Sequence, residues 1–111
     1  MPFYSARAIL AGLDPGLHQD LATALRALAI EVISSERTDA DLVFCGTPAV
    51  ESEHRSHPTL PLIAVSGRQD VAEWLDAMDA GATDYCAAPF ELVHLDWILR
   101  SSARSSVHRA V

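Results

Sequence analysis

The side chains placed for chemistry in this chain gather where its apolar runs end. The run Leu42-Val43-Phe44-Cys45 stops at Gly46, and Pro48 two residues on cannot pair in a central strand. A strand of this kind in a parallel sheet often carries a catalytic acid at its C-terminal tip. Here the tip is glycine. An earlier run, 7 to 11, leads into Gly12-Leu13-Asp14, and a later one, 60 to 66, ends on the hydroxyl of Ser66. Asp14 is the carboxylate nearest these tips, and its place before Pro15 suits a helix cap. One carboxylate seldom holds Mg²⁺ without phosphate oxygens from a substrate.

Nucleophilic and metal chemistry are no better served. All eight cations are Arg, so Schiff-base, P-loop and general-base lysines are excluded. Cys45 and Cys86 lack CxxC spacing, which excludes a zinc site or a disulfide framework. On strands separated by a third, their Cα atoms should stand ~9.5 Å apart, beyond disulfide reach, so both are expected as small buried hydrophobes. Only His54 and His57 approach ligand spacing, and with His18, His94 and His108 they are expected at the surface. The stretch 12 to 16, GLDPG, lacks the dinucleotide fingerprint. No metal or cofactor is expected.

The elements that position these residues follow from periodicity. At 111 residues, half of them apolar, the chain suits one globular domain. Strands are expected at 7 to 11, 29 to 33, 41 to 45, 60 to 66 and 83 to 88. A helix follows Asp14, with Leu17, Leu21, Ala24, Leu25 and Leu28 on its apolar face. Val71, Leu75 and Met78 give another, closed by Gly81, and a last begins at Glu91 with Leu92, Leu95 and Leu99 on one side. Strands alternating with helices imply right-handed crossovers and a parallel sheet. Two connections are short. Residues 34 to 40 are too few for a crossover helix, and 47 to 59 allow at most two helical turns.

A net charge of −7 argues against direct nucleic-acid binding. No apolar run is long enough for a membrane helix, and the first residues do not form a signal peptide, so a cytoplasmic protein with no membrane contact is expected. The Ser-rich end, 101 to 111, reads as a helix end and linker. The domain is placed at 1 to 104, with 105 to 111 as a tail or linker to a possible output domain.

The stretch 61 to 92 resembles the receiver domain of bacterial two-component response regulators. That family has an apolar strand ending in Ser or Thr, a helix closing on an A-G-A-x-D-Y/F turn, and a Lys-Pro-Phe-x-x-x-L junction into its last helix. Here these stand as Ser66, Ala80-Gly81-Ala82-Thr83-Asp84-Tyr85 and Ala88-Pro89-Phe90. The interval from Ser66 to Ala88 equals the family's interval from hydroxyl to lysine. Residues 7 to 33 and 41 to 48 fit the family's first strand, first helix, second strand and phosphoacceptor strand, so the resemblance covers about residues 6 to 104.

The resemblance implies a doubly wound α/β fold, flavodoxin-like, with a five-stranded parallel sheet in the order 2-1-3-4-5. The family's second helix is missing and its third shortened. It also implies a lost chemistry. Phosphoryl transfer to a carboxylate needs the nucleophile, an acidic pair for Mg²⁺, a hydroxyl and a lysine. At those positions stand Gly46, Gly12 and Leu13, Ser66, and Ala88. The expected function is that of a phosphorylation-independent pseudo-receiver, not an enzyme, that acts through protein-protein contact. In the family, the face built from the fourth helix, fifth strand and fifth helix carries the signal. Trp74, beside the Val71-Leu75-Met78 stripe, with Met78, Tyr85, Val93 and Trp97, is expected to form that face, which suits a homodimer, a partner protein or an output domain. The alternative is a nucleotide or quinone bound in the emptied pocket of Gly12, Leu13, Asp14, Gly46, Ser66 and Ala88.

Overall fold

The computed structural model describes residues 6–110, and their side chains through residue 102. Five parallel strands, β1 (Arg7–Ala11), β2 (Glu31–Ile33), β3 (Leu42–Gly46), β4 (Leu62–Ser66) and β5 (Asp84–Ala87), form one sheet in the order β2-β1-β3-β4-β5. The helices are α1 (Pro15–Ala27), α2 (Val50–Ser56), α3 (Val71–Asp79) and α4 (Leu92–Ala110). The family's fourth and fifth helices thus correspond to α3 and α4. Every residue of β3 and β4 is buried, as expected of strands covered on both faces.

Two half-cores lie on the two faces of the sheet. Leu21 and Leu25 of α1 pack with Leu95, Ile98 and Leu99 of α4 over Phe44 and Ile63. On the other face Val50 of α2 and Ala77 of α3 pack over Ile9, Val43, Ala64 and Tyr85. The missing crossover helix leaves no hole, because Ile9 and Val43 are fully buried there beside Ala40 and Ala49. The loop over 34–41 is fastened to β1 instead. Asp41 accepts from the Arg7 amide at 2.8 Å and returns its own amide to the Arg7 carbonyl at 2.8 Å. Exposed ion pairs of Arg7 with Glu31 and of Arg37 with Asp39 add little on their own. The Arg37 hydrogen bond holds the Asp39 carboxyl below its ordinary range.

Helix ends explain where strand limits differ from expectation. α1 begins as predicted, with the Asp14 carboxylate accepting from the Leu17 amide at 3.0 Å and Pro15 at the first position. It ends when Ala29 turns to φ +64°, its amide bonding to the Arg26 carbonyl and that of Ile30 to the Leu25 carbonyl. This is a Schellman closure, normally given to glycine. It consumes Ala29 and Ile30, so β2 starts at Glu31 rather than at 29. α3 closes the same way on Gly81 at φ +117°, with Ala82 bonded to the Ala77 carbonyl.

The apolar stripe of α3 is the main departure. Val71, Leu75 and Met78 do not enter the core: they are 67%, 53% and 38% exposed, and Ala77 makes the buried contact. Trp74, 43% exposed, belongs to this outward stripe rather than lying beside it. On α4, Leu92 is also exposed, whereas Leu95, Ile98 and Leu99 are buried. The backbone of α4 stays helical to Ala110, so position 104 falls inside the helix. The side chains of Arg104, His108 and Arg109, and residue 111, lie outside the described residues.

Candidate functional site

The strand tips meet as the topology requires, and those of β1 and β3 approach closely. β1 and β3 pair in register through Ala11 and Cys45, and the chain beyond each tip closes inward. Gly12 takes φ +62°, which suits glycine, and its carbonyl lies over Gly46. A Cβ at Gly46 would stand 2.3 Å from that carbonyl oxygen, and one at Gly12 would stand 2.9 Å from the Ala49 Cβ. Between positions 12 and 46, where the resemblance would place acids, backbone lies against backbone. Leu13, at the second acidic position, packs against the α1–α4 core, and Asp14 is used as the cap of α1.

Ser66 is buried and engaged. Its hydroxyl lies 2.8 Å from the Arg68 carbonyl and 3.0 Å from Glu73 Oε2, and it accepts from the Arg68 amide at 3.3 Å. The single proton of the hydroxyl is shared between the two acceptors. The other oxygen of Glu73 accepts from Thr47 Oγ1 at 2.6 Å. Glu73 thus bridges the residue after β3 and the last residue of β4, with two hydroxyls aimed at one half-buried carboxylate. Hydrogen bonds to a charged acceptor contribute ~1.5–3 kcal/mol each. The N-terminus of α3 adds to this by favouring negative charge in its first turn.

Neither Thr47 nor Glu73 stood out in the sequence. A signal was present in Asp70-x-x-Glu73, which has the spacing of a capping box. Asp70 does cap α3, accepting from the Ala72 and Glu73 amides at 2.9 and 3.2 Å. Glu73 uses its place at the start of the helix to reach the strand tips.

Ala88, at the lysine position, is half-buried and gives its amide to the Ser66 carbonyl at 3.0 Å. No cation is supplied there. Tyr85 lies beneath the α3 face rather than on it: it is 8% exposed, and its hydroxyl donates to the Arg68 carbonyl at 3.2 Å. With Gln69, Asp70, Val71 and Trp74 it floors a shallow groove. Val93 and Trp97 project from α4 and are 84% and 59% exposed. All seven exposed large hydrophobic residues among those described are on α3 and α4, the helices flanking the edge strand β5.

Cys45 and Cys86 are both buried and free. Cys45 pairs in register with Ala64, which pairs with Tyr85, so Cys86 is one residue out of register and points to the opposite face. A disulfide is excluded by direction as well as by distance. Burial pushes both thiols up to about 12. His54 packs its ring on Gly81, and His57 lies 3.9 Å from Glu53. Among the described residues no group of three His, Cys, Asp or Glu side chains is placed to hold a metal ion, and no helix is long and apolar enough to cross a membrane.

Comparison with known proteins adds to this geometry. No family model matches the chain. The transcriptional regulatory protein TctD of Salmonella typhimurium is 36% identical over 61 residues, which cover 55% of this chain and 27% of TctD. The chain thus spans about a quarter of the length of that relative. NtrX from Brucella abortus superposes with a TM-score of 0.81 at 17% identity, over 96% of this chain and 28% of NtrX. A CheY-like response regulator receiver domain protein from Methanospirillum hungatei superposes at 0.75 with 16% identity, over 94% of this chain and 98% of that one. The matched unit is therefore part of a longer chain in NtrX and nearly the whole of the Methanospirillum protein. In strand order, helix placement and superposition alike, this chain has the receiver fold of the response regulators.

Proposed function

We propose that this chain is a phosphorylation-independent pseudo-receiver, which serves a bacterial signalling protein as an interaction or dimerisation module. The observation that carries the reading is the outward apolar stripe of α3. Val71, Trp74, Leu75 and Met78 stand at i, i+3, i+4 and i+7, the pattern by which a helix normally buries a face, and here that face meets solvent. Val93 and Trp97 are exposed as well, on α4, which packs on the other face of the sheet. Exposed indoles beside aliphatic side chains are the usual anchors of protein interfaces. The strand tips support the other half of the reading. They offer no nucleophilic acid, no acidic pair and no lysine, and backbone fills the space between Gly12 and Gly46.

On this reading the module is not an enzyme, takes no cofactor and makes no direct contact with nucleic acid. Its occupant is a second copy, an attached output domain or a separate protein, in the cytoplasm. Ligand sensing in the old pocket is disfavoured by the closure of the tips. Sedimentation equilibrium over a wide concentration range, on wild type, Trp74→Arg and Trp97→Arg, tests the interface. A wild-type dimer dissociated by either substitution supports the face as a dimer contact. Monomers throughout leave it to another partner. A dimer that survives both substitutions places the interface elsewhere and refutes the assignment.

A further inference from the structure

The pseudo-receiver reading leaves open how the α3–β5 face is held without a phosphoryl group, and Glu73 bears on this. Thr47 and Ser66 come from the ends of neighbouring strands, and both hydroxyls lie within hydrogen-bond reach of the Glu73 carboxylate, at 2.6 and 3.0 Å. From Ser66 the connection continues to the Arg68 carbonyl, which also receives the Tyr85 hydroxyl. A continuous path of hydrogen bonds thus runs from the tip of β3 to the ring beneath the exposed stripe. The loop between β4 and α3 is fastened at both ends, to Ser66 through Arg68 and to Asp70 through the helix cap.

We propose that Glu73 is an internal latch: its carboxylate supplies from within the chain the anion that accepts from the Thr47 and Ser66 hydroxyls. By holding Ser66, it fixes the 67–70 loop and the Tyr85 ring in one arrangement. The face of α3 and β5 is then permanently set rather than switched. Glu73 acts as a positioning residue and touches no ligand itself. The inference rests on the reading of these tips as a site that takes no phosphoryl group.

NMR on the full chain tests the latch, with wild type, Glu73→Ala, Glu73→Gln, Thr47→Val and Asp70→Ala. In the wild type, backbone order parameters over 67–70 are expected near the rigid value of ~0.85. Glu73→Ala should lower them below ~0.6 and shift the Tyr85 ring resonances, while the Phe44 amide in β3 stays rigid. Thr47→Val, which removes one donor and keeps the shape, should act in the same direction with smaller effect, as should Glu73→Gln. Asp70→Ala removes the helix cap but keeps the Glu73 carboxylate and both hydroxyls, so it should loosen residue 70 and the first turn of α3 while shifting the Tyr85 ring resonances less than Glu73→Ala does. Unchanged order and an unmoved Tyr85 in Glu73→Ala would overturn the latch. So would an equal response to Asp70→Ala, which would make Glu73 only part of the helix start. If Glu73→Ala does not fold, Thr47→Val and Glu73→Gln decide by the same readout. A phosphoryl adduct on the wild type after acetyl phosphate treatment would separately overturn the underlying reading, whatever the loop does.

Discussion

Placing an acid at the tip of β3 should not permit phosphorylation there, and the obstacle can be sized. A Cβ at position 46 would lie 2.3 Å from the Gly12 carbonyl oxygen and 3.3 Å from its carbon. Since real Cβ contacts essentially never fall below 3.0 Å, the tips of β1 and β3 must part by at least 0.7 Å, the difference between 3.0 and 2.3. Opposing atoms are backbone, which cannot swing aside as a side chain would. Overpacking of this kind costs ~1–3 kcal/mol, and replacing glycine at ordinary dihedrals returns ~0.4–1 kcal/mol through the unfolded chain. Gly46 sits at φ −60°, ψ 149°, where alanine meets no conformational penalty of its own. Taking the middle of each range, Gly46→Ala should therefore lower stability by about 1.3 kcal/mol. At ~2.1 cal/mol/K of unfolding entropy per residue, this corresponds to a fall in Tm of roughly 6 °C. Gly46→Asp should fall further, because its carboxylate enters a buried position with no magnesium ligands and no lysine. Calorimetry gives the Tm, and intact-mass spectrometry after acetyl phosphate and Mg²⁺ shows whether the new acid is modified. A Gly46→Asp variant as stable as wild type, or one that takes up a phosphoryl group, would refute the steric argument.

Other consequences of the structure are as open to test. Ala29 holds a left-handed conformation that costs a non-glycine residue ~1–2 kcal/mol, so Ala29→Gly should raise stability in urea by ~0.5–1 kcal/mol after the entropic loss. A fall in stability would show that the Ala29 methyl makes a contact worth more than the strain. The thiols of Cys45 and Cys86 are held protonated by burial first and then by Glu53 and Asp84 respectively, each raised from 9.0 to about 12. The folded state therefore keeps protons that the unfolded chain gives up. Stability is fully present below about pH 9 and is lost as pH rises toward 12, by up to ~1.4 kcal/mol per pH unit for each thiol. Urea titrations at pH 7, 9 and 10.5 should show this fall, and Cys45→Ala and Cys86→Ala should each make it shallower; an unchanged slope would remove the thiols as its cause. Both thiols should also resist iodoacetamide at pH 7.5 in the native state, and rapid alkylation would contradict their burial.

Much of the architecture was legible because several signals agreed. The fully apolar runs of β3 and β4, the Asp14-Pro15 start of α1 and the Ala80-Gly81-Ala82 turn each have one economical reading, and all three fit a parallel sheet with crossovers. The orientation of α3 was not legible. Its apolar stripe has the spacing of a core face, and periodicity reports amphipathicity without saying which side meets the protein. Only the small Ala77 fits close to the sheet, while the large residues turn outward. Tyr85 was expected on the interaction surface, but the phenol is drawn inward by the Arg68 carbonyl, a backbone group that no residue type advertises. The close approach of Gly12 and Gly46 was hidden for a similar reason. Glycines at 12 and 46 remove side chains, but they also let two backbones approach, and sequence does not show which follows. The Thr47–Glu73–Ser66 bridge joins residues 26 and 7 positions apart, a separation across which pattern carries no signal.

The measurement that bears most directly on the account is the intact mass of the wild-type chain after incubation with acetyl phosphate and Mg²⁺, followed by spectra in beryllofluoride with Mg²⁺. Gly46, Gly12, Leu13 and Ala88 supply no nucleophile, no metal pair and no cation, so mass and spectra should be the same with and without the reagents. A stoichiometric phosphoryl adduct, or a beryllofluoride-dependent shift in the resonances around Ser66 and Glu73, would contradict the account and return this chain to the working receivers.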